Sequence, residues 1–210
     1  MPPLPRFNTL DVERQESLLN VAAREFGDNG FKSASLNRIV KTAGLSKGAF
    51  YYYFDNKADL YDTVVERAIK GALKHLGDFN IDALEVDTFW PTLEATALRM
   101  LDFAIDRPWM ISAARVLYRA ETETLPSAPK GLRSTSADFT GLILKRGQAL
   151  GLVRNDMPLE LLTLLVYRVG ETTDMWAIAN WDTLEPEHAR ELSHQTIDIM
   201  RRIVAPVLTP

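Results

Sequence analysis

The chain has no cysteine. That excludes disulfides and thiolate metal sites, and with them the small secreted scaffolds that disulfides staple. Histidine is nearly as scarce, with only His75, His188 and His194. His188 and His194 stand six residues apart, a spacing that one helix does not align on a single ligand, and no carboxylates keep a metal-ligand spacing. Neither a metal nor a cofactor is expected. No apolar run approaches the ~20 residues needed to span a bilayer. The opening Met-Pro-Pro-Leu-Pro-Arg lacks the apolar core of a signal peptide. The expectation is a cytoplasmic protein with no membrane partner. Strand-like alternation bounded by turns is missing too, and helical periodicity remains nearly everywhere.

What is present is ordinary in bulk and unusual in one place. At 210 residues, 46% apolar and 25% charged, the chain can form one or two modest domains with a real core. Residues 35–57 stand out. Ser35 can cap a helix by accepting from a free amide of its first turn. Leu36, Ile39, Val40 and Ala43 then make one apolar face, and Gly44 can close the helix in the left-handed conformation. Leu45 resumes the apolar set and Ser46 can cap a second helix. Phe50, Tyr53 and Phe54 would pack back on the first helix, leaving Lys47, Gly48, Ala49, Tyr51 and Tyr52 outward. Two short helices joined this way form a helix-turn-helix reading head for the DNA major groove.

The exposed set suits that task. Lys47 can donate to guanine O6 and N7, while Tyr51 and Tyr52 can bond a phosphate or pack on a thymine methyl. Gly48 and Ala49 would let the backbone approach the groove floor. Lys57 opens the next helix, where its ammonium and nearby amides could hold a phosphate. From Lys32 to Lys57 there are five basic residues and one acid, a local +4 in a chain of net −4. Basic charge gathered on one element of an acidic protein is what a DNA-facing surface with a soluble body needs.

Gly44-Leu45-Ser46-Lys47-Gly48 also matches G-x-S-x-G, the nucleophile elbow of esterases. That elbow needs a buried strand ahead of it. Leu36 to Ala43 instead have a helical period and carry Arg38 and Lys41, so no catalytic residue is assigned and no enzyme is expected.

Along the chain, residues 1–9 read as a flexible arm and residues 10–55 as the DNA-binding domain. Residues 56–77 read as a connecting helix, and 78–210 as a helical effector-binding and dimerisation domain. Helices are expected at about 11–28, 56–76, 88–106, 108–124, 129–150, 158–180 and 185–204, besides the two of the head. Residues 125–129 and 151–156 read as connectors. The fold class is all-α.

The arrangement resembles the TetR family of bacterial transcriptional regulators. The resemblance rests on Gly44-Leu45-Ser46-Lys47-Gly48-Ala49-Phe50-Tyr51-Tyr52-Tyr53-Phe54-Asp55-Asn56-Lys57-Ala58-Asp59-Leu60, with the Gly30-Phe31 step and the preceding helix. It covers roughly residues 10–65. It implies a homodimer on double-stranded DNA, with C-terminal domains that dimerise and bind a small-molecule effector. It also implies base contacts from Lys47, Gly48, Ala49 and Tyr52, and phosphate contacts from Ser35, Tyr51 and Lys57. Tyr52 stands where many members have His or Trp, which bears on base preference.

For the C-terminal region, polar residues amid apolar runs nominate Trp109, Arg115, Tyr118, Phe139, Tyr167 and Glu171 as effector-pocket lining. A fully filled core would instead mark a constitutive DNA-binding or scaffolding protein without an effector. Residues 158–180 are apolar over more than one face, and the last helix carries an apolar stripe. Leu161, Leu165, Leu192, Ile199 and Ile203 are therefore expected in a twofold dimer interface.

Overall fold

The computed structural model describes residues 3–77, 79–120 and 132–207, with the side chains of all but 119, 120 and 132–136. The described residues form nine α-helices and two short 3-10 segments, and no strand. The helices are α1 (Val12–Ser33), α2 (Leu36–Thr42), α3 (Lys47–Tyr53), α4 (Lys57–Leu76), α5 (Phe89–Ile105), α6 (Pro108–Ala120), α7 (Leu132–Ala149), α8 (Leu159–Ala179) and α9 (Pro186–Val204). The helix-end residues expected at 121–124 and 129–131, the connector 125–129 and Asp78 lie outside the described residues.

Contacts divide the chain into two units. One comprises Met1–Lys74 with Asp106–Lys130, the other His75–Ile105 with Gly131–Pro210. This differs from a division near residue 77. α6 belongs with the reading head, whereas α5 and α7 belong to the other unit. The cause is a close fit between α1 and α6. Gly27 lies so near the Ser112 carbonyl that a Cβ there would stand 2.7 Å from its oxygen. Val116 of α6 is 1% exposed in the same core, and the Tyr61 hydroxyl donates to its carbonyl at 3.4 Å.

The core of the first unit is built from every helix of the head. α1 contributes Leu18, Leu19, Ala22 and Phe26, α2 gives Ile39 and Val40, and α4 gives Leu60, Tyr61, Val64 and Val65. Aromatic rings fill the rest. Phe26 and Phe31 both meet Tyr61, at 5.1 and 5.2 Å between centroids, and Phe50 stacks on Phe54 at 5.5 Å. Edge and offset arrangements of this kind add to the burial itself. α1 runs past its expected end near Asp28, with Gly30 at φ +71° breaking it before a last turn to Ser33.

The described residues of the N-terminal arm, 3–9, are not loose. Pro5–Thr9 form a 3-10 segment, and Phe7 is 3% exposed with its ring 5.0 Å from that of Phe54. The Leu4 amide also donates to the Tyr53 carbonyl at 3.0 Å. Burying one Phe ring is worth roughly 1.5–3 kcal/mol, enough to order a short arm that polarity alone would leave free.

In the second unit α5, α7, α8 and α9 surround Leu84, Phe89, Leu144, Val153, Leu162, Val166 and Val204. The connector 151–156 is tied down at several points. The Arg154 amide donates to the Val204 carbonyl at 2.8 Å, and its carbonyl accepts from Gln148 at 2.8 Å. Its guanidinium meets the Asp156 carboxylate at 2.7 Å through two nitrogens.

Candidate nucleic-acid interface

The head is assembled by local chemistry. Ser35 accepts from the Arg38 amide at 3.3 Å and starts α2, and Ser46 accepts from the Ala49 amide at 3.0 Å and starts α3. Between them Gly44 takes φ +68°, a conformation costly for any side chain with a Cβ. With the turn set, the period of α3 divides its residues. Phe50 and the capping Phe54 are wholly buried. Lys47 and Gly48 are exposed, Ala49 is half-buried, and Tyr51 and Tyr52 are 54% and 50% exposed. The residues nominated for base and phosphate contact on α3 thus share its outer side.

Two charged side chains fix the turn between α1 and α2. The Glu25 carboxylate, 8% exposed, accepts from the Ser35 amide at 2.8 Å and from the Arg38 guanidinium at 3.2 Å. A buried carboxylate is tolerable here because both oxygens are met. Opposite it, the Lys57 ammonium donates to the carbonyls of Phe31 at 2.7 Å, Ala34 at 3.0 Å and Lys32 at 3.3 Å. It also stands 4.8 Å over the Phe31 ring.

These bonds bear on the phosphate contact expected of Lys57. An ammonium has three donors, and all three are engaged by backbone. Lys57 closes the end of α1. The amides beside it are capped too, since the Asn56 side-chain oxygen accepts from Ala58 and Asp59 at 2.7 and 3.1 Å. Ser35 has its oxygen occupied as a cap, but its hydroxyl hydrogen can still be donated. Lys32, Lys41 and Lys47 are exposed, with no ion-pair partner among the described residues.

Sequence reasoning missed Arg6. Its guanidinium carbon stands 4.7 Å from the centre of the Tyr52 ring, beside the residues expected to read DNA. The available signal was Phe7, an aromatic residue next to a stretch read as loose.

The six residues nominated as pocket lining are not gathered in one unit. Trp109, Arg115 and Tyr118 of α6 belong to the first unit, and Phe139, Tyr167 and Glu171 to the second. Four of them make contacts within their own unit. Arg115 pairs with Asp28 at 3.5 Å, and the Arg67 guanidinium lies 3.9 Å over the Trp109 ring. Burial pushes the Arg67 guanidinium down from its ordinary value, with Glu16 opposing the shift. Phe139 meets Phe79 edge-on at 5.5 Å, and the buried Glu171 pairs with Arg168 one turn earlier. The mixture of polar and apolar residues on α6 reflects its seat on α1 and α4.

The dimer residues divide. Leu161, Leu165 and Ile199 are 44%, 40% and 50% exposed, and Leu164 and Trp176 extend the row along α8. Leu162 and Val166 face the core from the same helix, which explains why α8 is apolar on two sides. Leu192 is half-buried. Ile203 is half-buried and packs against the core of its own unit.

Among the described residues no group of acidic or histidine side chains could hold a metal ion. No helix among them is long and apolar enough to cross a membrane.

Known proteins carry the same head. Residues 18–64, from α1 into α4, match the family described as bacterial regulatory proteins, tetR family. The chain is 30% identical over 181 residues to the HTH-type transcriptional repressor KstR2 of Mycolicibacterium smegmatis, covering 81% of this chain and 80% of that one. It is 36% identical over 75 residues to the transcriptional regulator AcrR of Shigella flexneri, spanning 36% of this chain and 31% of that protein's length. In fold it resembles a TetR family regulator from Chloroflexus aurantiacus, with a TM-score of 0.71 at 24% identity over 96% of this chain and 98% of that one. The ketosteroid transcriptional regulator KstR2 of Mycobacterium tuberculosis is similar, at 0.71 with 18% identity over 93% and 96%. With an exposed, doubly capped α3 and a relative similar over four fifths of both chains, this chain belongs to the TetR family of bacterial transcriptional regulators, with an N-terminal helix-turn-helix DNA-binding domain.

Proposed function

We propose that the chain acts as a homodimeric repressor whose two reading heads occupy the half-sites of an inverted repeat, and that a small molecule releases it. The observation that carries the reading is the outer side of α3, where Lys47, Gly48, Ala49, Tyr51 and Tyr52 face away from a core held by Phe50 and Phe54. In this reading Lys47, Gly48, Ala49 and Tyr52 meet base edges, and Ser35 and Tyr51 hold phosphates. The exposed leucines of α8 and Ile199 of α9 supply the self-complementary face that a twofold dimer requires.

Release needs coupling between the two units. The chain passes between them after Lys74, Ile105 and Lys130. α4 and α6, which flank these crossings, are the elements through which an effector would act on the head. A hundredfold loss of operator affinity requires roughly 2.7 kcal/mol of difference in effector binding between the two states.

The test is selection of bound duplexes from a randomised pool at one stated salt concentration. Enrichment of an inverted repeat supports a dimeric sequence reader and supplies the probe for an effector screen. Binding that is salt-sensitive but indifferent to sequence counts against it.

A further inference from the structure

Arg6 lies far from the helix-turn-helix in sequence, yet its guanidinium stands over the ring of an exposed reading residue. We propose that Arg6 is part of the DNA-reading surface: it holds the Tyr52 ring in place on α3 and donates to a phosphate of the duplex that this ring meets. The inference rests on the reading of Tyr52 as a groove contact.

Three observations carry it. Arg6 is held in position by its neighbours. The Leu4 amide bonds the Tyr53 carbonyl at 3.0 Å, and the Phe7 ring lies 6.2 Å from Tyr53 and 5.0 Å from Phe54. Anchors on both sides mean that most of the ordering cost of a long cation is met before DNA arrives.

The second observation concerns donors. Arg6 is exposed, and among the described residues no acceptor takes the N–H groups of its guanidinium. A guanidinium over a ring engages the ring through its charge and its face, so its in-plane donors are left for another group. Those donors suit two phosphate oxygens at once.

The third is the state of Tyr52. Its ring is half exposed, and among the described residues its only other ring contact is with Tyr53, edge-on at 5.3 Å. A side chain so lightly held gains definition from a cation placed over it. Arg6 also adds positive charge to the head that carries Lys32, Lys41 and Lys47.

The experiment uses the full chain and the duplex that the wild type selects. Arg6→Ala, Arg6→Lys, Tyr52→Ala and the Arg6→Ala/Tyr52→Ala pair are compared for affinity, salt dependence, base preference and melting temperature. Arg6→Ala is expected to melt like the wild type and to bind roughly tenfold more weakly. Its log–log salt slope should fall by about 0.9 per reading head. Its preference should relax at the base step that Tyr52→Ala also relaxes, with the pair less than additive. Arg6→Lys should keep the slope and still show the relaxed preference.

Arg6→Ala indistinguishable from the wild type overturns the inference while Tyr52→Ala still alters preference, which leaves the groove reading intact. A lower slope with unchanged preference overturns the positioning role. Tyr52→Ala without effect on preference brings down the groove reading and the inference with it.

Discussion

The Lys57 ammonium donates to the Phe31 carbonyl at 2.7 Å while standing 4.8 Å over the same residue's ring. Together with its bonds to Lys32 and Ala34, this makes Lys57 the clasp between the start of α4 and the end of α1. Glu25 does the converse job on the amide side, accepting from Ser35 at 2.8 Å. The turn that aims α2 is held by one buried anion and one cation.

Lys57→Ala should therefore act through stability. We expect a loss of about 1–3 kcal/mol in denaturant unfolding, the usual cost of charge-assisted bonds. Affinity for DNA should drop for all sequences alike, with an unchanged salt slope. An unchanged unfolding midpoint with a slope lower by about 0.9 per head would return Lys57 to the phosphates.

Lys47→Ala should do the opposite. Its side chain is exposed and has no partner among the described residues, so stability should stay within about 0.5 kcal/mol. Discrimination at one position of the half-site should fall by roughly 1–3 kcal/mol. Comparing selected sequences from wild type and variant checks this, and identical selections would remove Lys47 from base reading.

The reading head was legible because its determinants are local. Ser35, Gly44 and Ser46 act within four residues of themselves, and the period of Phe50 and Phe54 fixes which side of α3 is covered. What was not legible depends on distant partners. Phe7 looks like part of a loose arm until Phe54 is placed beside it. A lysine at a helix start announces a cation but not its acceptor, and for Lys57 the acceptors lie more than twenty residues away. α6 shows two-sided character without saying which neighbour each side meets. Its partner is α1, where Gly27 lets the Ser112 carbonyl come close, so Trp109, Arg115 and Tyr118 belong to the first unit.

Gly27→Ala tests the seat of α6 directly. A Cβ would stand 2.7 Å from the Ser112 carbonyl oxygen and 3.3 Å from the Arg115 Cβ, and the first of these is backbone that cannot swing aside. α6 must shift, at a cost of roughly 1–3 kcal/mol. Thermal unfolding reads the cost, and a melting temperature equal to the wild type's would mean that α6 does not seat there.

Acid should loosen the connector after α7. The hydrogen bond from Arg154 holds the Asp156 carboxyl below its ordinary 3.8, outweighing the opposing desolvation. A lowered folded value means a stabilising contribution that is full above the unfolded value and is lost as pH falls through the folded one. Asp156→Asn should thus melt below the wild type near neutrality, and the gap should close as pH drops under 3.8. A gap that persists in strong acid would show that the pair is not its source.

Replacing single side chains on α8 and α9 should separate assembly from folding. Leu165 is 40% exposed and Ile199 50%, so an arginine at either can reach solvent in the isolated chain. In a twofold interface each substitution enters twice, placing two unpaired cations against apolar surface. Leu165→Arg and Ile199→Arg should give folded monomers by sedimentation, with little change in helical content. Ile203→Arg is the contrast. That side chain packs against a core containing Val204 and Leu162, so its replacement should lower stability by several kcal/mol in dimer and monomer alike. Dimers that persist in both Leu165→Arg and Ile199→Arg would place the interface on another face. A well-folded Ile203→Arg monomer would instead restore Ile203 to the interface.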